Sequence, residues 1–182
     1  MTGDEKERVM TAAVDYSAVE TLRNGQRLEI RALRPEDRDA FAAAASRLSA
    51  ESLYRRFFSA KRQFSEQERS FFVDIDFVKH VALIAVLEEG GGRTEIVGGA
   101  RYVVTKPGEA EVAFAVVDQY QGLGIGATLM RHLAAIAREA GLREFTAEVL
   151  PHNKAMLQVF EKSGLRVGMK RESGTVHVTL KL

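Results

Sequence analysis

Apolar and polar residues alternate in several stretches of the chain, and a period of two predicts β-strands. Alternating or continuous apolar runs occupy residues 27–33, 81–89, 95–104, 109–117, 144–150, 165–167 and 175–182. The second and third runs are joined by Gly-Gly-Gly-Arg, which predicts a β-hairpin. The pattern therefore predicts a sheet of about seven strands that begins as an antiparallel meander.

Other stretches follow the helical period of 3.6 residues. Predicted helices cover residues 35–48, 49–73 with a break near 59–64, 127–141 and 153–164. Ser65 and Glu68 have the spacing of a capping box, and Asn153 is a favoured first residue of a helix. Gly141 and Gly164 stand where a left-handed residue ends a helix. About four helices are predicted to flank the sheet.

The helix at 127–141 connects two predicted strands, and such a crossover makes its flanking strands parallel neighbours. The sequence thus predicts an α/β chain (mixed α+β) with a mixed, mostly antiparallel central sheet. Its 182 residues fit one domain, which we expect to span residues 26–182. Residues 1–25 are expected to form a loosely ordered N-terminal segment.

Composition argues against several functions. Lys and Arg number 26 against 25 Asp and Glu, which gives no support for nucleic-acid or membrane-surface binding. The chain has no cysteine, so disulfides, thiolate zinc sites and a cysteine nucleophile are excluded. The four histidines lack metal-ligand spacing, and neither a secretory signal nor a long apolar span is present. We expect a cytoplasmic protein without a metal.

The sequence QGLGIG, residues 121–126, lies between the strand at 109–117 and the helix that follows. Unpaired N–H groups and the positive end of the helix dipole meet at such a turn, so it favours anions, phosphates above all. The alternative is a tight corner whose glycines serve packing only. The turn lacks the lysine of a Walker loop and the spacing of a dinucleotide fingerprint, so neither ATP nor NAD is predicted.

The same turn resembles the pattern Gln/Arg-x-x-Gly-x-Gly/Ala that binds the acetyl-CoA pyrophosphate in the GNAT superfamily of N-acetyltransferases. The segment from Asn153 to Leu165, with its FEKSGL end, and the predicted order of elements from near residue 27 onward also resemble this family. The resemblance implies a GNAT fold with one splayed parallel pair of strands. It also implies acetyl-CoA as the cosubstrate and direct acetyl transfer to a primary amine.

The resemblance also implies which residues bind acetyl-CoA. These are Val116 and Val117 on the strand, Gln121, Gly122, Leu123, Gly124, Ile125, Gly126 and Ala127 in and after the turn, and Asn153 and Phe160 on the last helix. The valine backbone is expected to pair with the pantetheine amides and, near Val116, to meet the oxyanion. Backbone N–H groups of the turn are expected to bind the pyrophosphate. Asn153 is expected to cap its helix and to bond to the pantetheine arm as well.

Acetyl transfer to an amine needs a group that removes a proton, because a lysine ammonium has a pKa near 10.4. Glu111 resembles the glutamate that protein acetyltransferases of the family use for this purpose. Its alternatives are a solvent-facing role and replacement by Glu109 on the same strand face. Many members have a tyrosine at the position of Phe160 that protonates the leaving thiolate. Phenylalanine has no proton to give, so the general acid is unassigned.

The N-terminal half contains LRNGQRLEIRALRPEDRDAF, LSAESLYRRFF and DIDFVKHVALIAV, which resemble the GNAT domain of bacterial Pat-type protein lysine acetyltransferases. This implies a protein lysine as the acceptor. The alternatives are a small amine, such as a polyamine, amino acid or aminoglycoside, and a non-catalytic acyl-CoA-responsive module. The cyclic-nucleotide-binding domain often fused to Pat has no room here, so that regulation is not expected. A homodimer stays open by analogy with the family.

The segment Tyr54–Phe58, followed by Lys61 and Arg62, is both basic and aromatic. It predicts an amphipathic helix with a solvated cationic face. Contact with the adenosine 3′-phosphate of the coenzyme is the alternative.

Overall fold

The computed structural model describes residues 13–60, 64–89 and 92–182. Its strands form one sheet in the order β1-β2-β3-β4-β5-β6-β8-β7, antiparallel throughout except for the pair β5 and β6. The strands are β1 (Ser17–Thr21), β2 (Arg27–Ala32), β3 (His80–Glu89), β4 (Arg93–Lys106), β5 (Glu109–Val116), β6 (Glu144–Val149), β7 (Arg166–Glu172) and β8 (Thr175–Lys181). The mixed, mostly antiparallel sheet is confirmed, with eight strands where about seven were predicted.

Five α-helices lie wholly within the described ranges, where about four were predicted. They are α1 (Arg38–Ser46), α2 (Ala50–Phe57), α3 (Glu66–Val73), α4 (Ile125–Glu139) and α5 (Lys154–Glu161). Short 3₁₀ turns at Pro35–Asp37 and Asp118–Tyr120 precede α1 and α4. The predicted crossover is confirmed, since α4 connects the parallel strands β5 and β6. No helix in the described ranges is both long and apolar enough to cross a membrane.

The centre of the sheet is buried on both faces. Val81 and Leu83 of β3 belong to the main core, which includes α4, whereas Ala82 and Ile84 belong to a smaller cluster with α1. Alternate residues of a strand point to opposite faces, so α4 and α1 pack on opposite sides of the sheet. Each large apolar side chain buried in this way contributes roughly 1.5–3 kcal/mol.

The predicted helix ends are confirmed at several positions. Ser65 and Glu68 form a reciprocal capping box at the start of α3. Asn153 caps α5, because its Oδ1 accepts the N–H three residues later at 3.2 Å. Gly141 and Gly164 follow α4 and α5 with φ of +77° each, a left-handed conformation that suits glycine.

Part of the N-terminal segment is ordered, contrary to the expectation for residues 1–25. β1 pairs with β2, and the Tyr16 hydroxyl lies 2.5 Å from Nδ1 of His132 on α4. His132 Nε2 in turn donates to the Glu20 carboxylate at 2.8 Å. The alternation of β1 was hidden because its more buried positions hold Ala18 and Glu20 rather than large apolar residues. Residues 1–12 of the same prediction lie outside the described ranges.

A buried polar pair joins α3 to the sheet. Arg101 of β4 is 8% exposed, and its guanidinium lies 3.1 Å from His80 Nε2 and donates to the Phe72 carbonyl at 3.2 Å. Arginine has only donors, so His80 Nε2 is the acceptor and the imidazole is neutral. Burial, with the charge of Arg101 second, lowers the pKa of His80 to about 4.

β4 contains a bulge where it approaches the end of β5. The register between β3 and β4 skips Val97, and the Val97 carbonyl accepts the N–H of Val117 at 2.9 Å. At the next residue, Gly98, a Cβ atom would lie 3.0 Å from the Ala115 carbonyl oxygen and 3.4 Å from the Ile125 side chain. Glycine is therefore the residue that lets the two strands and the start of α4 meet without displacing backbone.

We expect acid to destabilise the protein through His80. Its pKa in the folded state is below the ordinary value, so the unfolded chain takes up the proton first as the pH falls from about 6.5 to about 4. Stability is complete above this window and is lost progressively within it, by up to about 3 kcal/mol. Urea unfolding between pH 4 and pH 8 should give a shallower pH slope for His80→Gln, which keeps an acceptor for Arg101. His152→Gln, which changes an exposed histidine, is the control. If the unfolding free energy of His80→Gln depended on pH as steeply as that of wild type, His80 would not be the source of the acid sensitivity.

Gly98→Ala is expected to lower the free energy of unfolding by about 1–3 kcal/mol, because overpacking displaces the Ala115 backbone. Gly168→Ala is the matched control, since its Cβ would first meet Thr179 at an ordinary 3.8 Å. The control should change the unfolding free energy by no more than about 0.5 kcal/mol. Chemical denaturation of both variants provides the measurement, and equal effects would mean that crowding at Gly98 is unimportant.

Candidate active site

A gap opens between β5 and β6. The two strands pair at Glu109–Glu144, Ala110–Phe145 and Glu111–Thr146 and then stop pairing, although β5 continues to Val116 and β6 to Val149. The predicted splay is therefore observed. Along the gap lies a cleft with a volume of about 360 Å³, lined by β5, β6, the glycine turn, α2 and α5.

The glycines of the turn have two different structural roles. Gly122 and Gly124 adopt φ of +80° and +91°, and added Cβ atoms there would meet no atom within 4 Å. Their conformation, rather than crowding, requires glycine. Gly126 has an ordinary φ, but its Cβ would lie 3.4 Å from Val159 on α5. The packing alternative thus applies to Gly126, while Gly122 and Gly124 shape the backbone of the turn.

The turn presents a row of unsatisfied donors. Within the part of the chain that the structure describes, the N–H groups of residues 122 to 127 donate to no protein acceptor; the first intrahelical bond runs from Thr128 to the Gly124 carbonyl at 3.0 Å. No side chain caps α4. Free N–H groups at the positive end of a helix dipole attract an anion, so the cleft ends at a built anion site.

The structure brings most of the predicted site residues to this cleft. The predicted residues that line it are Glu111, Val116, Gln121, Gly122, Gly124, Ile125, Gly126, Ala127, Asn153 and Phe160. Val116 directs its backbone groups into the gap, because the N–H of neighbouring Val117 is directed toward β4 and successive residues alternate. Its carbonyl accepts from the Gln121 side chain at 3.0 Å.

Two predicted backbone contacts, those of Val117 and Gln121, need correction. Val117 lies outside the cleft, because its N–H donates to the Val97 carbonyl and its carbonyl accepts from Tyr120, both at 2.9 Å. Leu123 turns its side chain toward the main core, so only its N–H is available. The Gln121 N–H is occupied by the Asp118 carbonyl at 3.2 Å, which leaves its side chain as the part that shapes the cleft.

The start of α2 is docked onto the turn by Asp118, a residue that no sequence pattern singles out. Its carboxylate accepts from the Ser49 N–H at 2.9 Å, the Ser49 hydroxyl at 2.6 Å and the Ser52 hydroxyl at 2.9 Å. Gln121 Nε2 adds a bond to the Ser52 oxygen at 3.2 Å. Burial alone would raise the pKa of Asp118, but these hydrogen bonds hold it below its ordinary value.

Asn153 and Phe160 form the α5 wall of the cleft. The Asn153 oxygen caps the helix, while its NH₂ group donates to no acceptor in the described residues and is free for a ligand. Phe160 is 1% exposed, and its ring meets that of Phe114 edge to face at 5.9 Å. Tyr120, the tyrosine that lines the cleft, donates its hydroxyl to Glu95 at 2.6 Å. Neither aromatic residue offers a free proton donor.

Glu111 lies at the closed end of the gap with its side chain exposed, on the β5 face that α2 covers. Its rival, Glu109, does not line the cleft and is held by Lys106 at 2.9 Å and by the Thr105 hydroxyl at 3.2 Å. The bond from Lys106, first among several causes, lowers the pKa of Glu109. Geometry therefore favours Glu111 as the carboxylate that meets a ligand.

Arg56 of α2 turns inward between the helix and β5, so its predicted place on a solvated cationic face is wrong. Its guanidinium lies 4.8 Å from the centre of the Phe57 ring. Burial lowers the pKa of Arg56 to about 10, while the charge of Glu111 acts in the opposite direction. Sequence periodicity missed this because the helix is short and both of its arginines are half-buried. Lys61 and Arg62 lie outside the described residues.

The chain is similar to known acetyltransferases. Residues 47–165 match the model described as the acetyltransferase (GNAT) family. An acetyltransferase of Pseudomonas aeruginosa is 37% identical over 139 residues, which cover 76% of this chain and 74% of the relative. The acetyltransferase Pat of Mycolicibacterium smegmatis is 32% identical over 159 residues, which cover 85% of this chain and 46% of Pat. The chain thus spans less than half of the length of Pat.

A solved structure extends this similarity to three dimensions. The GNAT domain of S. lividans PAT superposes with a TM-score of 0.82 at 36% identity, and the match covers 91% of this chain and 97% of that domain. The predicted fold and the predicted resemblance to Pat-type domains are confirmed.

Asp118→Ala is expected to lower the free energy of unfolding by about 0.5–1.5 kcal/mol, since three donors at the start of α2 exchange a charged acceptor for water. Hydrogen exchange of the α2 amides should accelerate, because the helix loses its attachment to the turn. Asp15→Ala removes an exposed carboxylate with no hydrogen bond among the described residues and is the control. Denaturation and exchange together measure the effect; unchanged exchange in Asp118→Ala would contradict the docking role.

Proposed function

Since the chain belongs to the acetyltransferase (GNAT) family, we propose that it moves an acetyl group from acetyl-CoA directly to a primary amine, with a protein lysine as the acceptor. The observation that carries this proposal is the row of free N–H groups at residues 122 to 127, at the open end of the β5–β6 gap. The absence of cysteine suits the reducing cytoplasm, where we place the enzyme.

In this proposal, the pyrophosphate of acetyl-CoA binds the free N–H groups of the turn, and the pantetheine arm lies in the gap. Val116 and the free NH₂ group of Asn153 supply hydrogen bonds on opposite sides of the arm. Val116 lies five positions beyond Glu111 along β5, which corresponds to a distance of about 17 Å at about 3.3 Å per residue. This is comparable to the length of an extended pantetheine arm. The thioester then lies near Glu111.

Glu111 removes the proton from the acceptor ammonium, directly or through a water molecule. The Arg56 guanidinium beside it assists, because a nearby cation disfavours the protonated form of the acceptor amine. The neutral amine attacks the thioester carbonyl, and a backbone N–H of β5 that faces the gap close to Glu111, rather than the N–H of Val116 about 17 Å away, donates to the oxyanion.

Collapse of the tetrahedral intermediate breaks the carbon–sulfur bond and releases the thiolate of coenzyme A, and the former amine nitrogen loses its second proton to solvent to give the neutral amide. Phe160 has no proton to give, and the Tyr120 hydroxyl is occupied by Glu95. We propose that the thiolate leaves without a protein acid and takes its proton from solvent. A thiol pKa near 8.5 makes this leaving group adequate near neutral pH.

The lysine acceptor rests on relatives of the Pat type. Similarity to Pat of M. smegmatis and to the GNAT domain of S. lividans PAT extends over most of this chain, including the α1–α3 region that covers Glu111. A small amine is the second candidate, favoured by the cavity beside Glu111 that is described below.

Glu111→Gln is expected to reduce kcat/KM about 10²–10⁴-fold, because general base catalysis is lost while the shape of the side chain is kept. Thiol release from acetyl-CoA is measured with a lysine-bearing acyl-CoA synthetase and with a panel of small amines. Calorimetry should give a Kd for acetyl-CoA within a few-fold of wild type. Glu109→Gln is the matched control and should retain the wild-type rate. Full activity in Glu111→Gln would exclude Glu111 as the base, and turnover on small amines alone would exclude the lysine acceptor.

A further inference from the structure

A second cavity of about 790 Å³ lies between α1–α3 and the sheet, on the same face as Glu111. Its walls include four phenylalanine rings, those of Phe41, Phe57, Phe64 and Phe72. Phe72 stands at the centre of this group, with ring centres 5.3–6.5 Å from the other three. Such walls suit the apolar body of a small molecule.

Two arginines point charge into this apolar space. Arg101 is 8% exposed, and its guanidinium lies 4.8 Å from the centre of the Phe72 ring. Arg56 lines the cavity from α2. Within the described part of the chain, neither guanidinium forms an ion pair with a carboxylate. Asp39 and Glu66, the carboxylates that line the cavity, are exposed and pair with neither arginine.

The partners that Arg101 does have are uncharged. Its guanidinium donates to a backbone carbonyl and to neutral His80, so these contacts satisfy hydrogen bonds but leave the charge uncompensated. Burial lowers the pKa of Arg101 to about 9, and the nearby charge of Arg56 adds to this effect. Arg101 is buried and Arg56 is half-buried, and these like charges repel each other. The charge of Glu111 offsets part of this cost at Arg56, but Arg101 pairs with no carboxylate in the described residues, so an anion between the two guanidiniums would reduce the repulsion.

We propose that this cavity binds a carboxylate carried on a short apolar or aromatic body, with Arg101 and Arg56 as the groups that select the carboxylate. Arginine presents paired donors that match the two oxygens of a carboxylate. The phenylalanine rings surround the apolar body, and the cationic edge of each guanidinium marks the polar end of the site.

The cavity and the donor cleft share a wall formed by Arg56 and by Ala113 and Ala115 of β5. The small alanine side chains leave room for a ligand to reach from one space into the other. The carboxylate therefore belongs either to the acyl group of a dicarboxylic acyl-CoA or to the acceptor amine. This last step rests on the proposed function, whereas carboxylate binding in the cavity does not.

Binding is tested on the whole chain with 3-phenylpropanoate and with its neutral amide of the same shape, by calorimetry. The acid should bind wild type at least tenfold more tightly than the amide. This preference should disappear in Arg101→Met and fall in Arg56→Met. It should persist in Arg27→Met, which removes an exposed arginine on β2. The wild-type measurement alone can overturn the proposal: equal affinity for the acid and the amide, or no binding of either, would do so.

Transfer assays then identify the source of the carboxylate. If the acyl group carries it, kcat/KM for succinyl-CoA should exceed that for butyryl-CoA, and Arg101→Met should reduce this ratio at least tenfold. If the acceptor carries it, acetyl-CoA should acetylate an amino acid in preference to its amide, with the same dependence on Arg101. Binding of the acid without transfer from any donor would support the carboxylate site and overturn the proposed function. Transfer that is equally fast with charged and with neutral substrates would support the proposed function and overturn the carboxylate site.

Discussion

The need to satisfy backbone hydrogen bonds is the constraint on which the site depends. β5 leaves β6 after Glu111, so the backbone of β5 that faces the gap has no neighbouring strand. The glycine turn that follows adds a second set of unpaired N–H groups at the same edge. A ligand that is extended, contains amides and ends in an anion satisfies both sets at once. One interruption of strand pairing therefore fixes the length, the polarity and the direction of whatever occupies the cleft.

Electrostatics divides the region into two chemically different spaces on either side of β5. The open end of the cleft is positive because of the uncapped start of α4, so the positive potential there comes from backbone groups alone. The space under α1–α3 is positive because of the side chains of Arg56 and Arg101, set among aromatic rings. Glu111 lies between these spaces, as the carboxylate that lines the cleft beside Arg56. The charges of Glu111 and Arg56 thus interact at this boundary, with no direct ion pair between them in the described residues.

Local signals in the sequence were sufficient for most of the fold and for the turn. Strand alternation, the capping box at Ser65 and the glycine positions act within a few residues, so a single sequence contains them. The missing information was nonlocal. Asp118 binds Ser49 across 69 positions, and no periodicity connects them. The resemblance placed Val117 in the cleft, but the sequence does not reveal which neighbouring strand each N–H meets; the register of β5 against β4 decides that.

Gly126 belongs to both walls of the cleft. Its N–H is one of the free donors of the turn, while its α-carbon faces Val159 at a distance that leaves little space for a methyl group. Because α5 also holds Asn153 and Phe160, the contact behind Gly126 fixes how far those residues stand from β5. The width of the cleft thus depends in part on the packing of Val159, which itself lines the cleft. A change in side-chain volume at position 159 would alter which carrier arms fit while the chemistry of the lining stayed the same.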